Sequence, residues 1–224
     1  MIVAHLLIAG FFAGALSPLE LARDKQDRPA LQRLVNEAAA AAAKAPKDAA
    51  VQYRVALASS YLAEVEIEMH DKKAAQQAAV RGIQAAEQAI ALKPDDAEDY
   101  RVLATLCGQA ITDMLSGLNY GPRAKDAVNK AVSLAPKSSP VWVARGVGNY
   151  YLPSQLGGGV TEAVSDFHKA IDLDSRNSEA WLWLAIALRK QNKDVEARQA
   201  FDKSLALDPN RVWVRQQLDK TPAK

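Results

Sequence analysis

The sequence predicts an all-α fold built from stacked antiparallel helix pairs. Three observations predict it: a helix-length segment that recurs at a fixed offset, apolar residues that keep to one face of each copy, and a helix-stopping residue just after most copies. The segments 162–174 and 196–208 lie 34 residues apart, so that Ala163, Phe167, Ile171 and Leu173 fall on Ala197, Phe201, Leu205 and Leu207. Within each copy the apolar residues sit at i, i+4, i+7 and i+8, the spacing of one helix face. Second helices end in Leu92-Lys93-Pro94, Leu134-Ala135-Pro136 and Leu207-Asp208-Pro209, with Leu173-Asp174-Ser175 as the proline-free version. Proline lacks the N–H that would extend the helix, and it pushes the residue before it into an extended conformation.

The elements follow in order. From Met1 to Ser17 there is no Lys, Arg, Asp or Glu, and residues 2–16 are almost wholly apolar. That run is short of the ~20 residues of a membrane helix, but it suits the hydrophobic region of a secretory signal. Ala13-Gly14-Ala15 supplies a small-x-small cleavage pattern, although a basic leading region is missing. The division expected is a signal peptide or hydrophobic segment over 1–17, a linker over 18–29 and one helical-repeat domain over 30–220. The protein is expected to be exported, periplasmic or secreted, or membrane-anchored if the segment is retained. Leu31 to Ala45, with six consecutive alanines, forms a strong helix that ends at Pro46 and caps the array.

Four helix pairs come next, over about 48–94, 97–138, 139–177 and 178–211. Tyr53 precedes Tyr100 by 47 residues and Pro46 precedes Pro94 by 48, so the first pair has a loose register. Tyr100 to Trp142 and Pro94 to Pro136 are both 42, eight more than 34, and the extra residues are expected as a turn near Asn119-Tyr120-Gly121-Pro122. Trp142 to Trp181 is 39, which locates a five-residue insertion between the helices of the third pair. Its place is the loop 153–159, marked by Pro153 and three glycines. A short helix over 211–220 closes the array, with Val212, Trp213 and Leu218 covering the last pair.

Trp181, Leu184, Ala185, Leu188, Ala197, Phe201, Ser204 and Pro209 stand at the signature spacings of the tetratricopeptide repeat, and the chain resembles that family over about 48–211. It departs from the family at Gly82, where alanine is preferred. The resemblance implies a right-handed superhelical solenoid whose concave groove is lined by first helices. The groove positions so implied are Arg54, Val55 and Ala58, then Arg101, Val102 and Thr105. The later pairs contribute Val143, Val147, Tyr150 and Tyr151, and then Leu182, Trp183, Ile186, Arg189 and Lys190. It also implies a protein-interaction scaffold that binds another protein or peptide. Two alternatives stand beside it: a periplasmic carrier of a small hydrophobic ligand, and a regulatory subunit of an enzyme or envelope complex. The lysine/asparagine clamp that some members use for a C-terminal carboxylate is not reproduced.

Signals for chemistry are weak. With 28 basic and 26 acidic side chains the formal charge is +2, and no concentrated basic face marks a nucleic-acid binder. Cys107, a single cysteine in an apolar helical stretch, reads as core, and no intramolecular disulfide can form. His5, His70 and His168 are too far apart for a metal-ligand motif, and no Gly-x-Ser-x-Gly elbow occurs. Glu64 and Glu68 stand at ordinary salt-bridge spacing. Gly157-Gly158-Gly159 precedes a helix as a phosphate loop does, but lacks the Lys-Ser/Thr of one and reads as a structural loop. No catalytic residue, cofactor or metal is expected, and the protein is not expected to be an enzyme.

Overall fold

The structure is a computed structural model that describes residues 16–223; the hydrophobic segment, apart from its last two residues, lies outside the described residues. Eleven α-helices occur among the described residues, and no strand. They are α1 Pro18–Asp24, α2 Arg28–Lys44, α3 Ala49–Glu68, α4 Lys72–Leu92, α5 Ala97–Gln109, α6 Met114–Leu134, α7 Ser139–Tyr151, α8 Val160–Leu173, α9 Ser178–Lys190, α10 Asp194–Leu207 and α11 Val212–Asp219. Helices α3/α4, α5/α6, α7/α8 and α9/α10 pair, and the first helices α3, α5, α7 and α9 touch in series. This is the expected solenoid. Asp27, Asp48, Asp71, Asp96, Asp113 and Asn177 start their helices by accepting a free backbone N–H.

The segment expected as a linker is largely helical. Ser17 and Glu20 form a reciprocal capping box at the start of α1, Pro18 takes the first helical position, and Leu19 and Ala22 pack into the core. Seven residues are too few for this helix to stand alone, so its packing on α2 and α3 holds it.

Every junction from a second helix to the next first helix has the same length and shape. Four residues connect α2 to α3, α4 to α5, α6 to α7, α8 to α9 and α10 to α11. The first residue of each leaves the helical region in the same way, with φ between −150° and −133° and ψ between 62° and 97°. A side chain in the following helix donates a hydrogen bond to the carbonyl six residues before it: Gln52 to Pro46 at 3.2 Å, Tyr100 to Pro94 at 3.2 Å, Trp142 to Pro136 at 2.8 Å and Trp181 to Ser175 at 3.0 Å. Arg215 does the same to Pro209. The recurrent aromatic is therefore a clamp on the junction. Gln52 occupies its place in the first pair, which fixes the register at 48, and Tyr53 turns instead to Glu98 (3.1 Å).

The eight extra residues of the second pair do not make a turn at 119–122. Helix α6 runs through Pro122, and the true turn lies before Asp113, whose carboxylate caps Ser116 while the Ser116 hydroxyl accepts from the Asp113 amide. Pro122 gives up one helical hydrogen bond, and the cap keeps the two turns before it helical. The surplus residues expose Met114, Leu115 and Leu118. The loop 153–159 does form, around a 3-10 turn at Ser154–Leu156. Gly157 and Gly159 have φ of +83° and +119°, where glycine is favoured, and a Cβ on Gly158 would lie 2.5 Å from Leu152 Cβ, so backbone conformation accounts for the outer two glycines and close packing for the middle one.

Small residues seat large ones from neighbouring helices. A Cβ on Gly146 would run into the Phe167 ring, and a Cβ on Gly82 would meet Leu106 at 2.6 Å and Ser59 at 2.9 Å. The departure at Gly82 is thus matched by Leu106, which is fully buried and fills the place of the usual alanine methyl. Gly82→Ala is expected to destabilise the protein by about 1–2 kcal/mol, because overpacking outweighs a helix-propensity gain of about 1 kcal/mol. Urea denaturation checks it, and Leu106→Val in the same chain is expected to recover part of the loss.

Candidate functional site

The array curls until its two ends meet through side chains. Arg211, at the start of α11 and 1% exposed, points its guanidinium into the carboxyl end of α3. Its Nη2 lies 2.5 Å from Glu64 Oε1 and pairs with Glu68, which also takes Nη1 at 3.2 Å. Its Nε reaches Glu179 of α9 at 3.4 Å and Asp24 of α1 at 3.9 Å. Arg23 of α1 holds Asp24 Oδ1 through Nε (2.8 Å) and Nη2 (2.7 Å), reaches Glu179 with Nη1 at 3.3 Å and lies 4.8 Å over the Tyr61 ring. Gln26 donates to Glu68 at 2.9 Å and exchanges hydrogen bonds with Gln216. The first and last first-helices, α3 and α9, are tied together on their inner side by groups from α1 and α11.

Burial pushes the Glu64 carboxyl up to about 7, against the pull of Arg211 and Arg23, with Glu179 and Glu68 adding to the rise. Burial likewise raises Glu68 and Asp24. Burial would raise Glu179 too, but Arg23 and Arg211 outweigh it and hold that carboxyl below its ordinary value. A carboxyl raised in the folded state binds its proton there first. Its contribution to stability is complete below its ordinary value of 4.5 and is lost as pH rises through about 7. Asp99, lifted to about 6 by burial and by Asp96, acts with the same sign in the same window. The melting temperature is therefore expected to fall between about pH 5 and pH 8, and Glu64→Gln to flatten that slope. An unchanged slope in the variant would show that Glu64 does not titrate there.

Beside the ion cluster, one turn along α9 from Glu179, Trp183 sits at the centre of an aromatic group, and the Arg211 guanidinium lies 5.6 Å over the ring of its neighbour Trp213. The Trp183 ring centroid is 6.1 Å from Tyr150, 6.2 Å from Tyr151, 6.4 Å from Phe167 and 5.7 Å from Trp213. Tyr151 forms the open end of the group at 68% exposure, and Lys190 is also exposed.

The structure separates the residues expected in the groove. Arg54 is exposed on α3, and Arg101 is held by Glu98, with Nε 2.7 Å from Oε2. Val143, Leu182 and Ile186 are core residues rather than groove surface: Val143 packs with Ala170 and Ala180, and Leu182 and Ile186 pack with Phe201 and Val214. Val143 falls where α7 meets α8 and α9, and Leu182 and Ile186 fall where α9 meets α10 and α11, so the solenoid covers them. Val147 is partly buried against Phe167 and Leu184. Arg189 is engaged by α11, donating to the Gln217 carbonyl at 2.9 Å and to Thr221 Oγ1 at 3.1 Å. Tyr150 and Trp183 are half-buried. Cys107 is fully buried, and burial lifts its thiol to about 11, well away from thiolate chemistry at neutral pH.

Arg23, Asp24, Glu179 and Arg211 do not appear among the residues expected from sequence. One signal for them is present in the chain: α3 carries Glu64, Glu66 and Glu68 with no basic residue after Arg54, so its acidic end needs cations from elsewhere.

A family model described as Regulator of microtubule dynamics protein 1-3 matches residues 19–154. One described as Tetratricopeptide repeat matches residues 178–211, the fourth helix pair. No curated protein sequence matches the chain. In fold the chain is similar to a thermophilic TPR protein from Thermus thermophilus, with 19% identity, coverage of 91% of this chain and 96% of that one, and a TM-score of 0.62. YrrB, a TPR protein with an unusual peptide-binding site, overlays with 15% identity, 92% and 100% coverage and a TM-score of 0.46. MamA from Desulfovibrio magneticus overlays with 14% identity, 89% and 99% coverage and a TM-score of 0.46.

Proposed function

Because this chain belongs to the family described as Regulator of microtubule dynamics protein 1-3 and carries a tetratricopeptide repeat, we propose that it is a non-catalytic scaffold that binds a partner protein or peptide on its inner face. The observation that carries the reading is the aromatic group around Trp183, which ends in the exposed Tyr151, with the exposed Lys190 closing the next first helix. A rigid aromatic surface with a polar edge supports anchoring of an apolar side chain. Tyr151→Asp and Lys190→Glu remove the anchor and the charge at the end of α9 without touching the core. Photocrosslinking from position 151 in the full chain is expected to capture a defined protein, and Lys190→Glu to reduce that yield several-fold. An unchanged yield would place the partner elsewhere. The family description makes polymerised tubulin the first candidate to test, by cosedimentation.

The apolar run over residues 2–16 supports export or membrane anchoring as the proposed location. N-terminal sequencing tests it, since an intact Met1 on soluble cytosolic protein would contradict both.

A further inference from the structure

The junction clamps put four residues in register: Val51, Asp99, Val141 and Ala180 each stand just before the side chain that holds the junction carbonyl. Val141 is 1% exposed and Ala180 is wholly buried, as apolar residues at a helix contact should be. Asp99 is nearly as deep, at 4% exposure, yet it carries a carboxylate. A carboxylate in the first turn of a helix gains from the free N–H groups there, but it gains at the surface and needs no burial for it.

A carboxylate buried this far requires a partner, and Asp99 has none among the described residues. The acids beside it are engaged. Asp96 takes Lys93 Nζ at 2.7 Å and the Glu98 amide at 3.0 Å, and Glu98 takes the Tyr53 hydroxyl at 3.1 Å and Arg101 Nε at 2.7 Å. Lys93 stays on the exposed rim with Asp96. Asp99 instead lines a cavity of about 200 Å³ between the starts of α3 and α5, walled on the α3 side by Ala49, Ala50 and Tyr53. The later contact between α7 and α9 is closed at the corresponding place, where the Asn177 side-chain amide donates to Ser139 Oγ at 2.8 Å. Ala49 stands where Ser139 does in the register and offers only a methyl group.

We infer that this cavity is a binding site for an alkylammonium group, with Asp99 as its counter-ion and Ala49, Ala50 and Tyr53 against its aliphatic stem. A free amine and a lysine side chain of another protein present the same chemistry. Butylammonium needs about 150 Å³ at roughly 30 Å³ for each water-sized heavy atom, so the cavity holds it. A hard divalent cation takes about six oxygen ligands or more, and one unengaged carboxylate beside methyl groups does not supply them. The site lies on α3 and α5, apart from the aromatic group of α7–α11, so it goes beyond the scaffold reading and is tested without a partner protein.

Titration of the ¹⁵N-labelled full chain with n-butylammonium chloride is expected to give saturable amide shifts at Ala49, Ala50 and Asp99, with sodium chloride at equal ionic strength as the control. The peptide acetyl-Gly-Lys-Gly-amide is the second probe. Equal or tighter binding of the peptide assigns the site to a protein lysine, and binding of butylammonium alone assigns it to a free amine. Asp99→Asn and Asp99→Ala are expected to lose the shifts, and Asp99→Ala, the residue of the fourth pair, to melt about 2–4 °C higher than wild type. Ala49→Leu fills the cavity, leaves the carboxylate in place and is expected to lose the shifts as well. Binding is expected to weaken as pH falls through about 6, where Asp99 takes up its proton beside Asp96, Glu98 and Lys93. No saturable shift in the wild-type chain, shifts that sodium chloride reproduces, or shifts that persist in both Asp99 variants would overturn the inference.

Discussion

Phe167→Ala is expected to destabilise the protein by about 3–5 kcal/mol, the range for removing a buried aromatic ring. The ring is wholly buried, stacks on Trp183 and occupies the space a Cβ on Gly146 would need. Collapse cannot fill the void easily. Gly146 has no side chain to move inward, and α7 is held at a fixed distance by its junction clamp at Trp142 and by the pairing of Arg145 with the buried Asp166. Phe201→Ala, at the equivalent place one pair later, is expected to lose a similar amount. Urea denaturation measures both, and hydrogen exchange on α7–α10 would show whether the loss spreads to neighbouring pairs, as nearest-neighbour coupling in a repeat array requires.

Arg211→Ala is expected to cost about 3–5 kcal/mol at pH 8, because it strands two close and largely desolvated carboxylates, Glu64 and Glu68, without their shared cation. The loss is expected to shrink markedly at about pH 5. With the guanidinium gone, protons compensate the carboxylates in its place, and both groups already bind protons more readily than ordinary carboxyls. Thermal melts of variant and wild type at the two pH values check this. Equal losses at both would mean that packing of the arginine stem, not its charge, holds the two ends together. Arg211→Met, which keeps the stem, is expected to retain the pH dependence.

The repeat architecture is legible because two periodicities agree on it: the one-face spacing within a helix and the 34-residue offset between copies. The fourth pair reads to its limits, since nothing is inserted in it. The departures have local causes. Tyr53 reads as the register marker because aromatic residues fill that place in later pairs, whereas the backbone needs only a donor, and Gln52 supplies one. The Gly121-Pro122 dipeptide imitates a turn, but the reciprocal cap between Asp113 and Ser116 starts the helix earlier and carries it through. Residues 18–24 resemble a linker because a seven-residue helix has little periodicity to show. The ion cluster is the least visible feature. Arg211 is separated from Glu68 by 143 residues and from Glu64 by 147, and no local pattern records a pairing made only when the array curls.

The clamp at each four-residue junction also explains where this protein has grown. Junction length never varies, while the distance between equivalent residues rises from 34 to 39, 42 and 48 toward the N-terminus. All of that variation falls at the opposite ends of the helix pairs. The pairs behave like pages bound along one edge: the binding sets their pitch, and the free edge can lengthen page by page without disturbing it. Sequence added at that free edge alters the outline of the molecule while leaving the curl that brings α3 and α9 together intact.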